Sequence, residues 1–332
     1  MDRRSIRTFE ESAQSSDRHF ILLLYSLADD CVKKLRRNEN KMGQNALPGN
    51  TIALPQYAGR ALIGWMPANE ATLWLSGRRV DLQNKEEYQQ RAAQARIVVA
   101  ERPAGLDQAD ITTACPPELN EHIGALQQNA ASAQFFNEGW QISIVDLSRV
   151  CAAQPHINTS MAIQRVEGLE AQNLVSLATV SLPVSAPNAF PVAFDPSKNT
   201  WIFSSANPNL RVVGRFNGQV QPGQNAFGFI VGISASFLSV AVYQNRYLLR
   251  DGYHRAFGFL SRGINRVPAF VREFASYEEL ALPAGMLSQD AFLGERPPSL
   301  RDYLDEQVSA EIHVPQTQKT VLIQGFEFST LG

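Results

Sequence analysis

An apolar hairpin followed directly by a helix and a further strand constrains the fold of this chain more than any other feature. The sequence predicts the two hairpin strands at residues 237–242 and 247–249, joined by a polar turn at residues 244–246. A helix is predicted over residues 256–260 and another strand over residues 267–271. Strands and a helix in this order require a sheet with a helix packed against it, so the region predicts an α+β fold.

The pentapeptide Asp251-Gly252-Tyr253-His254-Arg255 stands between the hairpin and the helix. A junction that ends a strand and opens a helix places free backbone N–H groups at the positive end of the helix dipole, where phosphate and other anions bind. His254 adds a donor ring and Arg255 a planar guanidinium, which predicts an anion-binding site. The alternative is structural, with Asp251 capping the helix, His254 packed in the core and Arg255 solvated.

Two segments of the chain resemble the ParB/sulfiredoxin superfamily. The first is Tyr-Gln-Asn-Arg-Tyr-Leu-Leu-Arg-Asp-Gly-Tyr-His-Arg-Ala at residues 243–256, followed by Gly-Ile-Asn-Arg-Val-Pro-Ala-Phe-Val at residues 263–271. The second is the predicted strand at residues 140–148 with Gln154-Pro155 after it. The resemblance implies an α+β, ParB/sulfiredoxin-like mixed-sheet domain with N-terminal and C-terminal elaborations. Residues 160–236 exceed the compact family pattern and are either an insertion or a diverged stretch.

The resemblance implies a nucleotide-binding or phosphate-binding protein. Members of the superfamily bind nucleotide phosphates at the motif that matches Asp251 to Arg255, and several carry out phosphoryl transfer or nucleotide hydrolysis there. Sulfiredoxins have a reactive cysteine where this chain has Tyr253, so sulfinic acid reduction is not expected. The Arg-rich motif, the second phosphate motif and the helix-turn-helix domain of ParB partition proteins are not recognised either. Free-serine kinases and DGQHR-type proteins are the closer match.

The resemblance also implies a role for each residue of the motif. Gly252 permits close approach of the backbone to the ligand. Tyr253, His254 and Arg255 contact the ligand, the last two through phosphate oxygens. Asp251 either orients the turn or acts as a catalytic base. The expected ligand is a small anion or a nucleotide, ATP, ADP or CTP, accompanied by Mg²⁺; the sequence leaves enzymatic turnover open.

Two other functions remain open at this point. The chain can be a non-catalytic structural or regulatory protein that keeps the fold, with the terminal extensions building a homo-oligomer or a partner surface. A DNA-binding protein or nuclease is suggested by family analogy alone. The net charge of −2 argues against a dedicated nucleic-acid coat.

Charge and composition suggest four segments. Residues 1–50 are predicted as an arm and a helix, 51–138 as an α+β region, 139–276 as the ParB/sulfiredoxin-like domain and 277–332 as an acidic extension. Residues 141–276 hold 11 Lys and Arg against 6 Asp and Glu, whereas residues 277–332 hold 3 against 9. A mildly positive motif region suits an anionic ligand.

Local patterns predict several further elements. A helix is expected over residues 85–96 and a strand directly after it over 97–100. One helix is expected over residues 118–136, and tight turns at 216–218 and 221–224. Ser299 is expected to cap a helix that runs to about residue 310, with Asp302 in its first turn.

The remaining motifs exclude several classes of site and suggest a compartment. The three cysteines form no Cys-x-x-Cys pair, which favours a reducing cytoplasm. The apolar run at residues 20–28 is too short to span a bilayer, so no membrane association is expected. The sequence has no His-Glu-x-x-His, Gly-x-Ser-x-Gly or P-loop motif, and no metal site is predicted.

Overall fold

The computed structural model describes residues 56–77, 84–107, 109–185, 190–221, 224–315 and 318–325. Its helices are α1 (Ala68–Leu75), α2 (Lys85–Glu101), α3 (Asn120–Gln128), α4 (Ala130–Asn137), α5 (Thr159–Arg165), α6 (Leu174–Ser181), α7 (Tyr253–Ser261) and α8 (Gln289–Leu293). Its strands are β1 (Gln56–Ala61), β2 (Thr112–Thr113), β3 (Gln141–Asp146), β4 (His156–Asn158), β5 (Val192–Asp195), β6 (Thr200–Ser205), β7 (Leu210–Gln221), β8 (Gln224–Ile233), β9 (Ser239–Tyr243), β10 (Arg246–Asp251), β11 (Arg266–Glu273), β12 (Ala310–Pro315) and β13 (Lys319–Gln324). The α+β class is confirmed.

The central sheet has the strand order β10-β9-β11-β3-β2 and mixes parallel and antiparallel pairs. The predicted hairpin is β9–β10, and both residues of its turn, Gln244 and Asn245, have positive φ, as in the primed turns that join twisted strands. Pro268 lies in β11 before the point at which β9 joins it, at Phe270. Its missing N–H therefore removes no bond to β9.

A second sheet joins parts of the chain that are far apart in sequence. Strand β1 pairs antiparallel with β12 on one side and with β4 on the other. Strands from the predicted segments 51–138, 139–276 and 277–332 therefore share one sheet, and the described residues from Gln56 onward form a single compact unit. The arm and helix predicted for residues 1–50 lie outside the described residues.

Helices α5 and α7 pack closely against each other, and both contact β4 of the second sheet. Every residue of α7 from Tyr253 to Leu260 is buried except His254, which is half-buried. Gly258 makes the close approach to α5 feasible, because a Cβ at this position would lie 2.6 Å from the carbonyl oxygen of Ala162. The guanidinium of Arg262, directly after α7, donates to the carbonyl oxygens of Val166 and Leu169, so the C-terminal ends of the two helices lie together.

Residues 192–233, most of the predicted insertion, form two smaller β structures. Strands β5 and β6 join β13 in a three-stranded sheet of order β13-β6-β5, and β7 and β8 form a long antiparallel ribbon. The turn predicted at residues 216–218 is wrong, because these residues pair with Gly228, Phe227 and Ala226 inside the ribbon.

Two predictions about helices also need correction. The strand predicted at residues 97–100 is helical, because nothing between Arg96 and Ile97 breaks α2, and Val99 packs next to Gly64. The single helix predicted over residues 118–136 is divided at Asn129, whose extended backbone ends α3 and whose side chain caps α4. None of the helices in the described ranges combines the length and the apolar character that a membrane crossing requires.

Two helical glycines should respond to alanine with opposite signs. Gly258→Ala forces a Cβ against the backbone of α5, so we expect a loss of about 1–3 kcal/mol in the free energy of unfolding. Gly124 of α3 has open space around it, and a Cβ added there would meet no atom within 4 Å. Gly124→Ala should therefore stabilise the protein by about 0.5–1 kcal/mol. Urea denaturation of both variants tests this, and equal effects would contradict the close α5–α7 contact.

Candidate functional site

The predicted strand–helix junction is confirmed at Asp251 and Gly252. Strand β10 ends at Asp251, and Gly252 has a left-handed backbone with φ of 99° before α7 begins. A Cβ on Gly252 would lie 3.1 Å from the Cα of Leu238, so a side chain would meet both backbone strain and a steric contact. Glycine therefore allows the chain to turn tightly against the segment that leads into β9.

Asp251 holds this turn through both of its carboxylate oxygens. The backbone N–H of Gly252 donates to Oδ1 at 2.6 Å, and the hydroxyl of Ser236 donates to Oδ2 at 2.8 Å. Of the two roles predicted for Asp251, orientation of the turn is the one that these contacts support. Asp251 is not among the residues that line the adjacent cavity.

Arg255 is the most deeply buried charged group of the motif, with 3% of its surface exposed. Its Nη2 donates to the hydroxyl of Ser236 at 2.8 Å, and its Nη1 donates to the backbone carbonyls of Ser236 and Ser181. Its Nε has no hydrogen-bond partner among the described residues. Burial lowers the pKa of Arg255 to about 10, and the nearby Asp251 carboxylate opposes this shift. The group therefore stays cationic at neutral pH.

Tyr253 has a packing role in the structure. Its side chain is buried, and its hydroxyl donates to the carbonyl oxygen of Leu249 at 2.5 Å and accepts the N–H of Ala153 at 3.0 Å. Burial raises the pKa of the phenol. Among the predicted ligand-binding residues, His254 and Arg255 line the cavity, whereas Gly252 and Tyr253 do not.

The cavity has a volume of about 840 Å³ and opens beside the N-terminal end of α7. Its lining combines two arginines and two histidines with amide, hydroxyl and apolar side chains, and the described lining contains no Asp or Glu. The residues are Tyr57, Gln154, His156, Asn158, Ser160, Met161, Gln164, Arg165, Thr179, Val180, Pro183, Ser185, Ala206, Asn207, Pro208, Asn209, Ile233, Ser234, Ala235, Ser236, His254, Arg255 and Val314. The described lining therefore carries positive charge without a negative charge beside it.

Arg165, the last residue of α5, was not identified from the sequence. It lines the cavity and makes no hydrogen bond or ion pair with any described residue. Burial lowers its pKa, while Asp251 acts in the opposite direction. The sequence carried only a signal for the start of α5, since the side chain of Asn158 caps that helix by accepting the N–H of Met161. A cap of this kind does not indicate what Arg165 faces.

His254 lies near Arg165 and Arg255, and its imidazole ring is neutral at neutral pH. Burial first, and then the neighbouring Arg165 and His156, lower the pKa of His254 to about 4. At neutral pH the imidazole therefore offers one donor and one acceptor nitrogen to the cavity. A bound anion would counter the effect of Arg165 and favour the protonated ring.

Both segments that carry the family resemblance meet at this cavity. Gln154 lines it from the loop before β4, where its side chain donates to the carbonyl oxygen of His156 at 2.6 Å, and His254 and Arg255 line it from α7. The predicted insertion completes the wall: residues 206–209 lead into β7 and residues 233–236 follow β8. Gln154 belongs to the second segment that resembles the superfamily, but the sequence indicated no role for it in the site.

No family model, curated protein or solved structure matches the chain.

The pKa of His254 should depend on Arg165. We expect NMR titration of the histidine side chains to place the pKa of His254 near 4, and Arg165→Gln to raise it because a nearby positive charge is lost. Arg301 is exposed and lies outside the cavity, so Arg301→Gln removes the same charge and should leave this pKa unchanged. Titration of His254 near 6.5 in the unmodified protein would contradict this environment.

The lowered pKa of His254 should also make the folded protein less stable at acid pH. An unfolded histidine binds its proton with a pKa near 6.5, whereas His254 in the folded protein does so near 4. Between these values the unfolded state binds more protons, so stability falls as the pH drops. His254→Gln should reduce that loss when denaturation is compared at pH 7 and pH 4.5, and an unchanged difference would argue against a buried neutral His254.

Proposed function

We propose that the cavity binds a phosphate-bearing nucleotide and that Arg165, His254 and Arg255 contact its phosphate groups. Two guanidinium groups with unused N–H donors carry the proposal, one buried and one half-buried. The described residues that line the cavity include no carboxylate. A buried cation without a paired anion is costly, and a bound phosphate would offset that cost through charge-assisted hydrogen bonds.

The size and polarity of the cavity favour a nucleotide over inorganic phosphate. A volume of about 840 Å³ falls within the range of roughly 300–1,000 Å³ that is usual for small-molecule sites. The cationic end is formed by Arg165 and Arg255, with the neutral ring of His254 beside them. Amide and hydroxyl side chains from the insertion, including Asn207 and Asn209, line the remainder. These groups suit the sugar and the base of ATP, ADP or CTP.

The architecture supports a ParB/sulfiredoxin-like domain as the framework of the site. The mixed central sheet, the β9–β10 hairpin and the Asp-Gly junction before α7 occur in the order that the resemblance implies. The Gln154-Pro155 segment also reaches the same cavity. The proposal of nucleotide binding rests on the cavity, and the superfamily assignment is a second proposal that agrees with it.

Catalysis has less support than binding. Asp251 accepts hydrogen bonds from Gly252 and Ser236 and does not line the cavity, so a proton-accepting role would require it to leave these partners. The lining would offer Mg²⁺ only neutral oxygen ligands beside two arginines, and the described residues contain no cluster of three or more potential metal ligands. This donor set does not fit a protein-held Mg²⁺, so we propose no metal-dependent step.

Arg165→Gln should separate nucleotide affinity from stability. Because Arg165 has no partner in the described protein, its loss should leave the unfolding temperature unchanged or slightly higher. Its loss from a phosphate contact should weaken binding by about 10-fold to 100-fold. Isothermal titration calorimetry with ATP, ADP, CTP, GTP and pyrophosphate, with and without Mg²⁺, measures the affinity.

Two variants complete this experiment. Arg301→Gln is the matched control, because it removes the same charge at an exposed position outside the cavity. Arg255→Ala should reduce both affinity and stability, because three backbone carbonyls and Ser236 lose their donor. Absence of binding by every nucleotide, or binding that Arg165→Gln leaves intact, would overturn the proposal.

A further inference from the structure

Exposed apolar side chains are concentrated in one part of the molecule. Ten of the fifteen large hydrophobic side chains that are exposed among the described residues belong to β5, β6, β7, β8 and β13. They are Val192, Phe194, Trp201, Val212, Val213, Phe216, Phe227, Phe229, Ile230 and Leu322. Clustering of this kind marks an interaction surface, because single exposed hydrophobic residues are normally scattered.

The ribbon of β7 and β8 is apolar on both faces. Phe227 and Phe229 share one face, where their rings pack edge to face at 5.1 Å. Ile230 lies on the other face together with Phe216, which pairs opposite Gly228. All four side chains are about half exposed. A two-stranded ribbon is marginally stable in water by itself, so a ribbon with two apolar faces needs further contacts.

The outer edge of β8 is an unprotected strand edge. Among the described residues β8 pairs with β7 alone, so its second row of backbone N–H and C=O groups has no strand partner. Its ten residues, Gln-Asn-Ala-Phe-Gly-Phe-Ile-Val-Gly-Ile, include no charged residue and no proline. Natural proteins usually block exposed edges with lysine, proline or other charged groups. Strand β8 has none of these, which favours pairing with another strand.

We propose that β8 pairs antiparallel with β8 of a second copy of this chain. The two ribbons then form a four-stranded sheet of order β7-β8-β8-β7 around a two-fold axis. An antiparallel pair of identical strands is self-complementary, as a two-fold dimer requires. The absence of charge from β8 means that pairing brings no like charges together across the axis. Arg211 and Arg215 lie on β7 and therefore occupy the outer strands.

Exposed apolar side chains surround the proposed contact. At about half exposure, the ribbon's three phenylalanines and three aliphatic residues present roughly 500 Å², given about 150–250 Å² for a whole aromatic side chain. The sheet of β5, β6 and β13 lies beside the ribbon through the β13–β7 contact. Its four exposed residues bring the exposed apolar area of this region to roughly 900 Å². Edge pairing of β8 joins the two backbones directly, and the apolar side chains next to the two-fold axis add contacts across it. The proposed β8 pairing lies in the insertion, whereas the sequence suggested the terminal extensions for self-association.

Sedimentation velocity of the full chain over a range of concentrations tests the proposal. We expect a reversible dimer of twice the 36.7 kDa monomer mass. Ile230→Lys places two ammonium groups near the axis and should raise the dimer dissociation constant at least about 10-fold. The matched control is Ile97→Lys, because Ile97 is 50% exposed on α2, away from the ribbon. It should leave the dissociation constant unchanged.

A mixing experiment separates lost pairing from lost folding. Ile230→Lys and Ile230→Asp should each be monomeric alone and form a mixed dimer when combined, since opposite charges then meet across the axis. Hydrogen exchange of the unmodified protein gives an independent measure, because the backbone amides of β8 should exchange more slowly as the concentration rises. A monomer at every concentration, a dimer insensitive to Ile230→Lys, or mixed variants that stay monomeric would each overturn the proposal.

Discussion

The structure around the candidate site depends on the buried guanidinium of Arg255. It bonds the carbonyls at the end of α6 and both the hydroxyl and the carbonyl of Ser236, while that hydroxyl donates to Asp251. The Arg255 side chain of α7 therefore links α7 to α6 and to the segment before β9, and through Ser236 to Asp251 at the end of β10. The guanidinium bonds neutral carbonyls and one hydroxyl, and it reaches the Asp251 carboxylate only through that hydroxyl, so its charge is incompletely compensated. The N–H group that remains unused belongs to a side chain that lines the cavity.

The same arrangement explains why the motif residues have different tasks. Asp251, Gly252 and Tyr253 are used inside the protein: the carboxylate holds the turn, the glycine provides φ of 99°, and the phenol bonds two backbone groups. His254 and Arg255 reach the cavity, and Arg165 joins them only because α5 packs against α7 at Gly258. The positive charge of the cavity thus comes from two helices and not from the pentapeptide alone.

The predicted insertion contributes to two separate surfaces. The segments at the two ends of the ribbon, residues 206–209 and 233–236, form one wall of the cavity and supply its asparagine and serine side chains. The ribbon between them carries exposed apolar side chains on both faces. The proposed nucleotide site and the proposed dimer contact therefore use different side chains of one segment. Arg165→Gln and Ile230→Lys act on them separately, since Arg165 is not on the ribbon and Ile230 does not line the cavity.

Local sequence patterns determined the β9–β10 hairpin, the Asp-Gly junction, α7 and β11, because turn residues and apolar runs act over a few positions. The capping box of Ser299 and Asp302 was also predictable, although the helix it begins ends at Leu304. Tertiary structure alone decided that β1 pairs with β12, that Arg165 faces His254, and that residues 216–218 continue a strand. These outcomes depend on contacts between residues far apart in sequence, and a local pattern carries no information about its distant partner.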